Sequence, residues 1–415
     1  MRLSSIIVSL LIVAAAYVYV SKREGTYVNV LTASFVMMIP AEYLLQMYYL
    51  LAVGDSNSVY AYVLSYGTFA AYTTAFALAY TWIRMPAIRL PFGGYEAGRS
   101  RLPAYLLLAA AICLYLPVLI KFRADIADPR EIYRETRTGY GVYFFLSLTL
   151  AYLAFILLLF AKRVGKIELS MFFLLCIGFT WLQGSKGHML GFVFILALHW
   201  VYVQHRRIRL FKFLIFTAAM ALFGLMLFIV TTPDLILGGG LQGLAAYSDY
   251  TRNGMLVIDS GMGPFYGRLT LENQFYPRIP RVLDPGKPKD FGDLYLAEHF
   301  YPDQFVTNVG APAFANGTWY ADFGVMALPL QLVAGILSGM MLKMFMRSLQ
   351  RYGSPGDFIM VLFACGVPLI TLGSTFLLPE SLLLAVIANA LFCLRVRRRR
   401  PLPPGAESPP LLPAT

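Results

Sequence analysis

Apolar runs of membrane length alternate with short polar breaks along nearly the whole chain, and that alternation predicts eleven transmembrane helices. The runs cover about Ser4–Val20, Val28–Leu51, Val59–Ile83, Leu102–Ile120, Tyr140–Ala161 and Leu169–Leu182. They continue with about Met189–Val203, Phe213–Val230, Phe323–Leu342, Phe358–Thr375 and Ser381–Leu394. The sixth, seventh, tenth and eleventh are short for the roughly 20 residues a span needs. One break is of a different kind. The polar segment Thr232–Asn316 is far longer than a tether, and it mixes charges (Asp249, Arg252, Asp259, Arg268, Glu272 and others) with aromatics and the turn cluster Pro277, Pro280, Pro285, Gly286, Pro288. Two readings stand for it: a loop carrying binding or catalysis on a rigid scaffold, or a folded cap without chemistry.

Composition narrows the class. Hydrophobic residues make up 58% and charged residues 13% of the chain, against about 25% charged in a soluble domain. The expectation is an all-α polytopic membrane bundle over residues 1–394. Within it lies the large extracytoplasmic loop 232–316, and a basic, proline-rich, disordered cytoplasmic tail follows at 395–415. The first run lacks a charged lead-in and a small-residue cleavage site and reads as a retained anchor. Cys113, Cys176, Cys365 and Cys393 all sit inside apolar runs and read as packing residues. The net charge of +12 follows from topology: with the N-terminus outside and the basic tail inside, most Lys and Arg fall in cytoplasmic loops. Nothing in it points to nucleic acid.

This topology gathers three charged places on the outer face. The loop 121–139 carries Arg130, Arg134 and Arg137 at i,i+4 and i,i+3 spacing, one face of a short helix. Such a cluster suits a pyrophosphate or another anion through bidentate arginine forks; the alternative pairs it with Asp125, Asp128, Glu131 and Glu135 as a surface network. The turn Gly184-Ser185-Lys186-Gly187-His188 puts Lys186 at the membrane boundary, either as a functional cation or snorkelling into the headgroups. His188 could take a proton from a hydroxyl. Glu42, inside the second run, reads as a counter-ion for one of the arginines. No phosphate-binding glycine loop, HExxH, paired CxxC or DxD motif occurs; Asp290-Phe291-Gly292-Asp293 is the nearest acidic pair. The expectation is chemistry without metal or cofactor.

Three stretches carry a family resemblance: Arg134-Glu135-Thr136-Arg137-Thr138-Gly139-Tyr140-Gly141, the turn 184–188 and Asn316-Gly317-Thr318-Trp319-Tyr320-Ala321-Asp322-Phe323-Gly324. Tyr250-Thr251-Arg252-Asn253 adds to them. With the span plan, they make the chain resemble the O-antigen polymerases of the Wzy type, the oligosaccharide repeat unit polymerases. Members often carry Ser-Arg-Gly at the turn, where this chain has Lys186. The resemblance implies a GT-C-like membrane glycosyltransferase of the bacterial inner membrane with a periplasmic active face. It would polymerise repeat units of a surface or secreted polysaccharide, moving glycan from undecaprenyl pyrophosphate to the hydroxyl of an incoming lipid-linked repeat. In those terms Arg134, Arg137 and Arg252 would hold the pyrophosphate, and Lys186, His188 and Asp322 would be catalytic, with Asp249 and Glu272 as further candidates for the base. Asn316, Tyr320 and Tyr250 would bind sugar. Membrane lipids, a chain-length regulator and a flippase are the implied partners. The alternatives are an O-antigen ligase and a non-enzymatic transporter or flippase; the latter would show internal repeats and polar residues scattered at mid-bilayer, and only Glu42 fits.

Overall fold

A backbone inside a bilayer has to satisfy its own hydrogen bonds, and the protein does so with helices throughout; no strand occurs among the described residues. The computed structural model describes residues 1–92, 100–126, 128–136, 140–231, 233–279, 283–307, 312–370 and 377–393. The tail at 395–415 and Arg137 lie outside them. The first half of the chain forms α1 (Arg2–Glu24), α2 (Thr32–Met38), α3 (Leu45–Ala52), α4 (Val59–Trp82), α5 (Leu102–Lys121), α6 (Pro129–Thr136) and α7 (Gly141–Phe160). Then come α8 (Lys166–Leu182), α9 (Lys186–Tyr202), α10 (Leu210–Thr231), α11 (Pro233–Tyr247), α12 (Tyr250–Ser260) and α13 (Arg268–Phe275). The last six are α14 (Asp293–Phe300), α15 (Pro302–Thr307), α16 (Gly317–Phe323), α17 (Ala327–Tyr352), α18 (Pro355–Ala364) and α19 (Leu378–Cys393). A π-helical turn, Ile39–Leu44, joins α2 to α3.

Every predicted span has a helix on it. Among the described residues, five stretches are long and apolar enough to cross a membrane: Arg2–Glu24, Thr32–Ala52, Leu102–Lys121, Gly141–Phe160 and Gly317–Tyr352. Leu210–Met226, Pro355–Ala364 and Leu378–Cys393 are shorter apolar helices. α8 and α9 have 17 residues each, a little short of a full crossing. α4 is long but carries tyrosines and threonines, and several of these are turned inward: Tyr62, Tyr66, Thr68, Thr73 and Tyr80 are buried. The hydroxyls of Tyr62, Tyr66, Thr68 and Tyr80 are occupied there. Tyr66 donates to the Glu42 carbonyl at 2.7 Å and Tyr80 to the Glu24 carboxylate at 2.5 Å. α4 packs between α1 and α17. Gly335 and Gly339 let α17 come against the α4 backbone, since a Cβ at either would lie 2.5 Å from a carbonyl oxygen, of Tyr72 or of Phe76.

The polar segment is folded rather than a loop. It opens with α11 and continues through α12–α15 to α16. Val257, Leu269, Leu296, Ala297, Phe314 and Ala321 form a small core of its own. This body sits on the end of the bundle where α3 finishes and α4 begins, tied there by Asp259, which accepts from the Ser58 amide at 2.7 Å and from its hydroxyl. The opposite end is closed by Glu24, which accepts from Tyr80 and from Tyr202 at 2.6 Å, joining the ends of α1, α4 and α9.

Candidate functional site

A single face of one helix prepares the centre of the site. Within the π turn and just beyond it, Glu42, Gln46 and Tyr49 fall at i, i+4 and i+7, so they stack along one side of α3 and its approach. All three grip the junction of α11 and α12. Glu42 accepts from the Thr251 hydroxyl and, at 3.3 Å, from the Thr251 amide, a carboxylate at a helix N-terminus where the macrodipole favours it. Gln46 donates to the Ser248 carbonyl and accepts from Arg252 at 2.8 Å. Tyr49 lies under the Arg252 guanidinium, 3.8 Å from its ring centre. Glu42 was expected to balance an arginine; its hydrogen bonds go to Thr251, and the Arg252 that follows is its charged neighbour.

Arg252 also donates to the Ala245 and Ala246 carbonyls at 3.0 and 2.9 Å, the unsatisfied C-terminal end of α11. Three of its five N–H groups are thereby used. The two without a protein acceptor among the described residues belong to Nε and Nη2, one edge of the plane, which is the fork that matches two oxygens of a phosphate. Beside it Asp249 opens α12, its carboxyl pushed above the usual aspartate range by burial while Asn253 and Arg252 pull the other way. Tyr250 is 50% and Tyr247 40% exposed, and the two are electrostatic neighbours beside Asp249.

The other two charged places converge here. Lys186 Nζ lies 5.9 Å over the Tyr247 ring. The turn before it runs directly under α6: Gly184 has φ +65, and a Cβ on it would stand 2.1 Å from the Pro129 carbonyl oxygen. Tyr133 of α6 is in turn an electrostatic neighbour of Tyr250. The helix that carries Arg134 therefore lies against the turn of Lys186 and the α11–α12 junction. His188 is buried, with Nδ1 bonded to the Ser185 hydroxyl and its carbonyl accepting from Tyr152 at 2.7 Å.

The remaining candidates stand apart. Asp322 is fully buried and accepts from the amides of Leu269 and Thr270 at 3.0 and 2.7 Å and from the Thr270 hydroxyl at 2.6 Å. It is the anion at the start of α13, holding α16 to α13. Tyr320 neighbours Tyr60 and Asp259, near the far end of α12 from Arg252, about 10 Å along the helix at about 1.5 Å per residue. Asn316 begins α16 with its Nδ2 buried and unpartnered among the described residues. Glu272 accepts from Arg268 at 2.8 Å and from the Gly292 amide at 2.9 Å. Sequence reasoning missed Gln46 and Tyr49 as members of the site. The i+4, i+7 relation to Glu42 was the available signal.

Fold and site together define a multi-pass α-helical membrane protein whose inserted body offers a forked cation at the end of the bundle. The comparisons specify it further. The chain is 34% identical over 385 residues to an O-antigen polymerase of Salmonella typhimurium, covering 92% of this chain and 93% of that one. The identity and coverage are the same for an O-antigen polymerase of Salmonella typhi. No family profile and no solved structure matches the chain. The chain belongs to the O-antigen polymerase family, and with it to polysaccharide biosynthesis.

Proposed function

We propose that this protein polymerises lipid-linked O-antigen repeat units at the periplasmic face of the inner membrane. The full-length likeness to the Salmonella polymerases supports the reaction. The open fork of Arg252 is the observation that carries the mechanism. The acceptor hydroxyl oxygen bonds to the anomeric carbon of the donor glycan. The bond from that carbon to the pyrophosphate oxygen breaks, and its electron pair leaves with undecaprenyl pyrophosphate. Arg252 receives the growing negative charge, with Lys186, Arg134 and Arg137 completing the clamp. Asp249 takes the hydroxyl proton, since a carboxyl held above its ordinary value is a better base near neutral pH than a free one. Tyr247 and Tyr250 face the sugars, while Asp322 holds the inserted body together. The arginines and lysine supply the charge stabilisation that a metal would otherwise give. Profiling the lipid-linked glycans of a deletion strain tests the reading: single repeat units should accumulate. Full-length chains left on the lipid would make the protein a ligase instead.

A further inference from the structure

The side of α4 turned away from its buried tyrosines forms the floor of an apolar groove of about 720 Å³. At 100° per residue, Gly67, Ala71 and Thr74 lie opposite the Tyr62, Tyr66, Tyr80 row. Ile12 of α1 forms one wall, and Leu332 and Ile336 of α17 form the other. The floor is open space: a Cβ built at Gly67 meets nothing within 4 Å. Trp82 closes the inner end, its indole donating to Tyr19, whose ring lies 5.6 Å below the Arg23 guanidinium. This is an aromatic and basic interface belt. Toward the outer end the stripe continues over Val63 and Tyr60, 54% and 50% exposed, to the Tyr60–Tyr320 contact.

Length identifies the occupant. From Gly67 to Ile83 the lined floor runs about 24 Å at about 1.5 Å per residue. One leaflet of hydrocarbon is only about 15 Å, half of a core of about 30 Å. An acyl chain anchored at one interface fills part of such a groove; a polyprenyl chain anchored at the outer end fills all of it. With one threonine as its polar lining residue besides the Trp82 indole, the groove offers nothing to a headgroup. Its mouth, at Tyr60 and Tyr320, lies near the opposite end of α12 from Arg252 and on the other side of α4 from the Glu42 contact.

We propose that this groove holds the polyprenyl tail of the acceptor, the incoming lipid-linked repeat unit, while the donor's pyrophosphate occupies the Arg252 fork. The proposal rests on the reading that both substrates are polyprenyl-linked. The test uses purified full-length protein. The donor is a repeat unit on full-length polyprenyl diphosphate with its acceptor hydroxyl blocked; the acceptors carry a non-leaving phosphonate on either a full-length or a two-isoprene tail. The wild type should prefer the long-tailed acceptor by about tenfold or more in kcat/KM. Gly67→Phe and Ala71→Phe, which fill the floor, should raise KM for the long acceptor about tenfold and leave the short one unchanged, with Gly67→Ala behaving as wild type. A photo-crosslinker at Leu332 in the otherwise unchanged protein should yield an adduct of polyprenyl mass, which keeps the question decidable if the phenylalanine variants fail to fold. Equal use of both acceptors by the wild type, equal loss on both in the variants, or phospholipid adducts that polyprenyl phosphonate does not displace would overturn the groove. Inactivity on every polyprenyl-linked pair, beside activity on glycan carried otherwise, would overturn the reading beneath it as well.

Discussion

Arg252 is held on one face by Tyr49 and along one edge by the end of α11, so its remaining edge is fixed before any substrate arrives. Such preorganisation is what a clamp on a leaving group needs. Lysine has neither the plane that stacks nor the fork that bonds twice. Arg252→Lys should therefore lower turnover about a hundredfold, the equivalent of about 3 kcal/mol, at matched membrane level. Arg123→Lys, on a short turn outside the site, should leave it near normal. The same assay run against pH separates the candidate bases. A base works when deprotonated, so with Asp249 in that role the rate rises with pH along a limb lying above the ordinary aspartate range. Asp249→Asn should remove that limb together with most of the rate. A limb that survives in Asp249→Asn and vanishes in His188→Gln would transfer the role to His188. The structural use of Arg252 could not be read from the sequence, because Gln46 lies 206 positions away. Asp322 escaped for the same reason: its partners Leu269 and Thr270 are 53 and 52 positions off, and an aspartate that begins another helix looks locally like an available base.

At the level of elements, the helices of the bundle were legible because a run of apolar residues has one stable form in lipid. The order α5–α6–α7 was legible too, as the arginine spacing over 130–137 predicted a short helix. The inserted body was not. Its helices are six to fifteen residues long, too short to stand out as spans from the apolar pattern of the chain. What positions α6 is a backbone contact that only glycine permits. Gly184→Ala would force a side chain into the αL region, at about 1–2 kcal/mol, and into the Pro129 carbonyl. The expected outcome is a protein that still inserts, with α6 lifted off the turn and polymer ladders lost. Normal ladders from Gly184→Ala would mean that α6 does not act from this position.

For the whole molecule, the three outer places and the inserted body share one end, and the Glu24 knot marks the other. The positive-inside rule predicts that the first of these ends faces the periplasm. A cysteine at position 286, in a cysteine-free background, should thus react with an impermeant thiol reagent in intact spheroplasts, and one at 353 only after lysis. The reverse pattern would place every site residue on the cytoplasmic side. The π turn at Ile39–Leu44 bears on how these two ends relate. It takes in one residue more than an α-helix would, and a surplus residue in a helix amounts to a phase shift of about 100°. Before the turn, Thr32, Ala33 and Phe35 keep time with the bundle; from Glu42 within it onward, through Gln46 and Tyr49, the chain keeps time with the inserted body. That segment is thus one rod with two clocks, and the angle between the membrane scaffold and the reaction centre is written in a single residue.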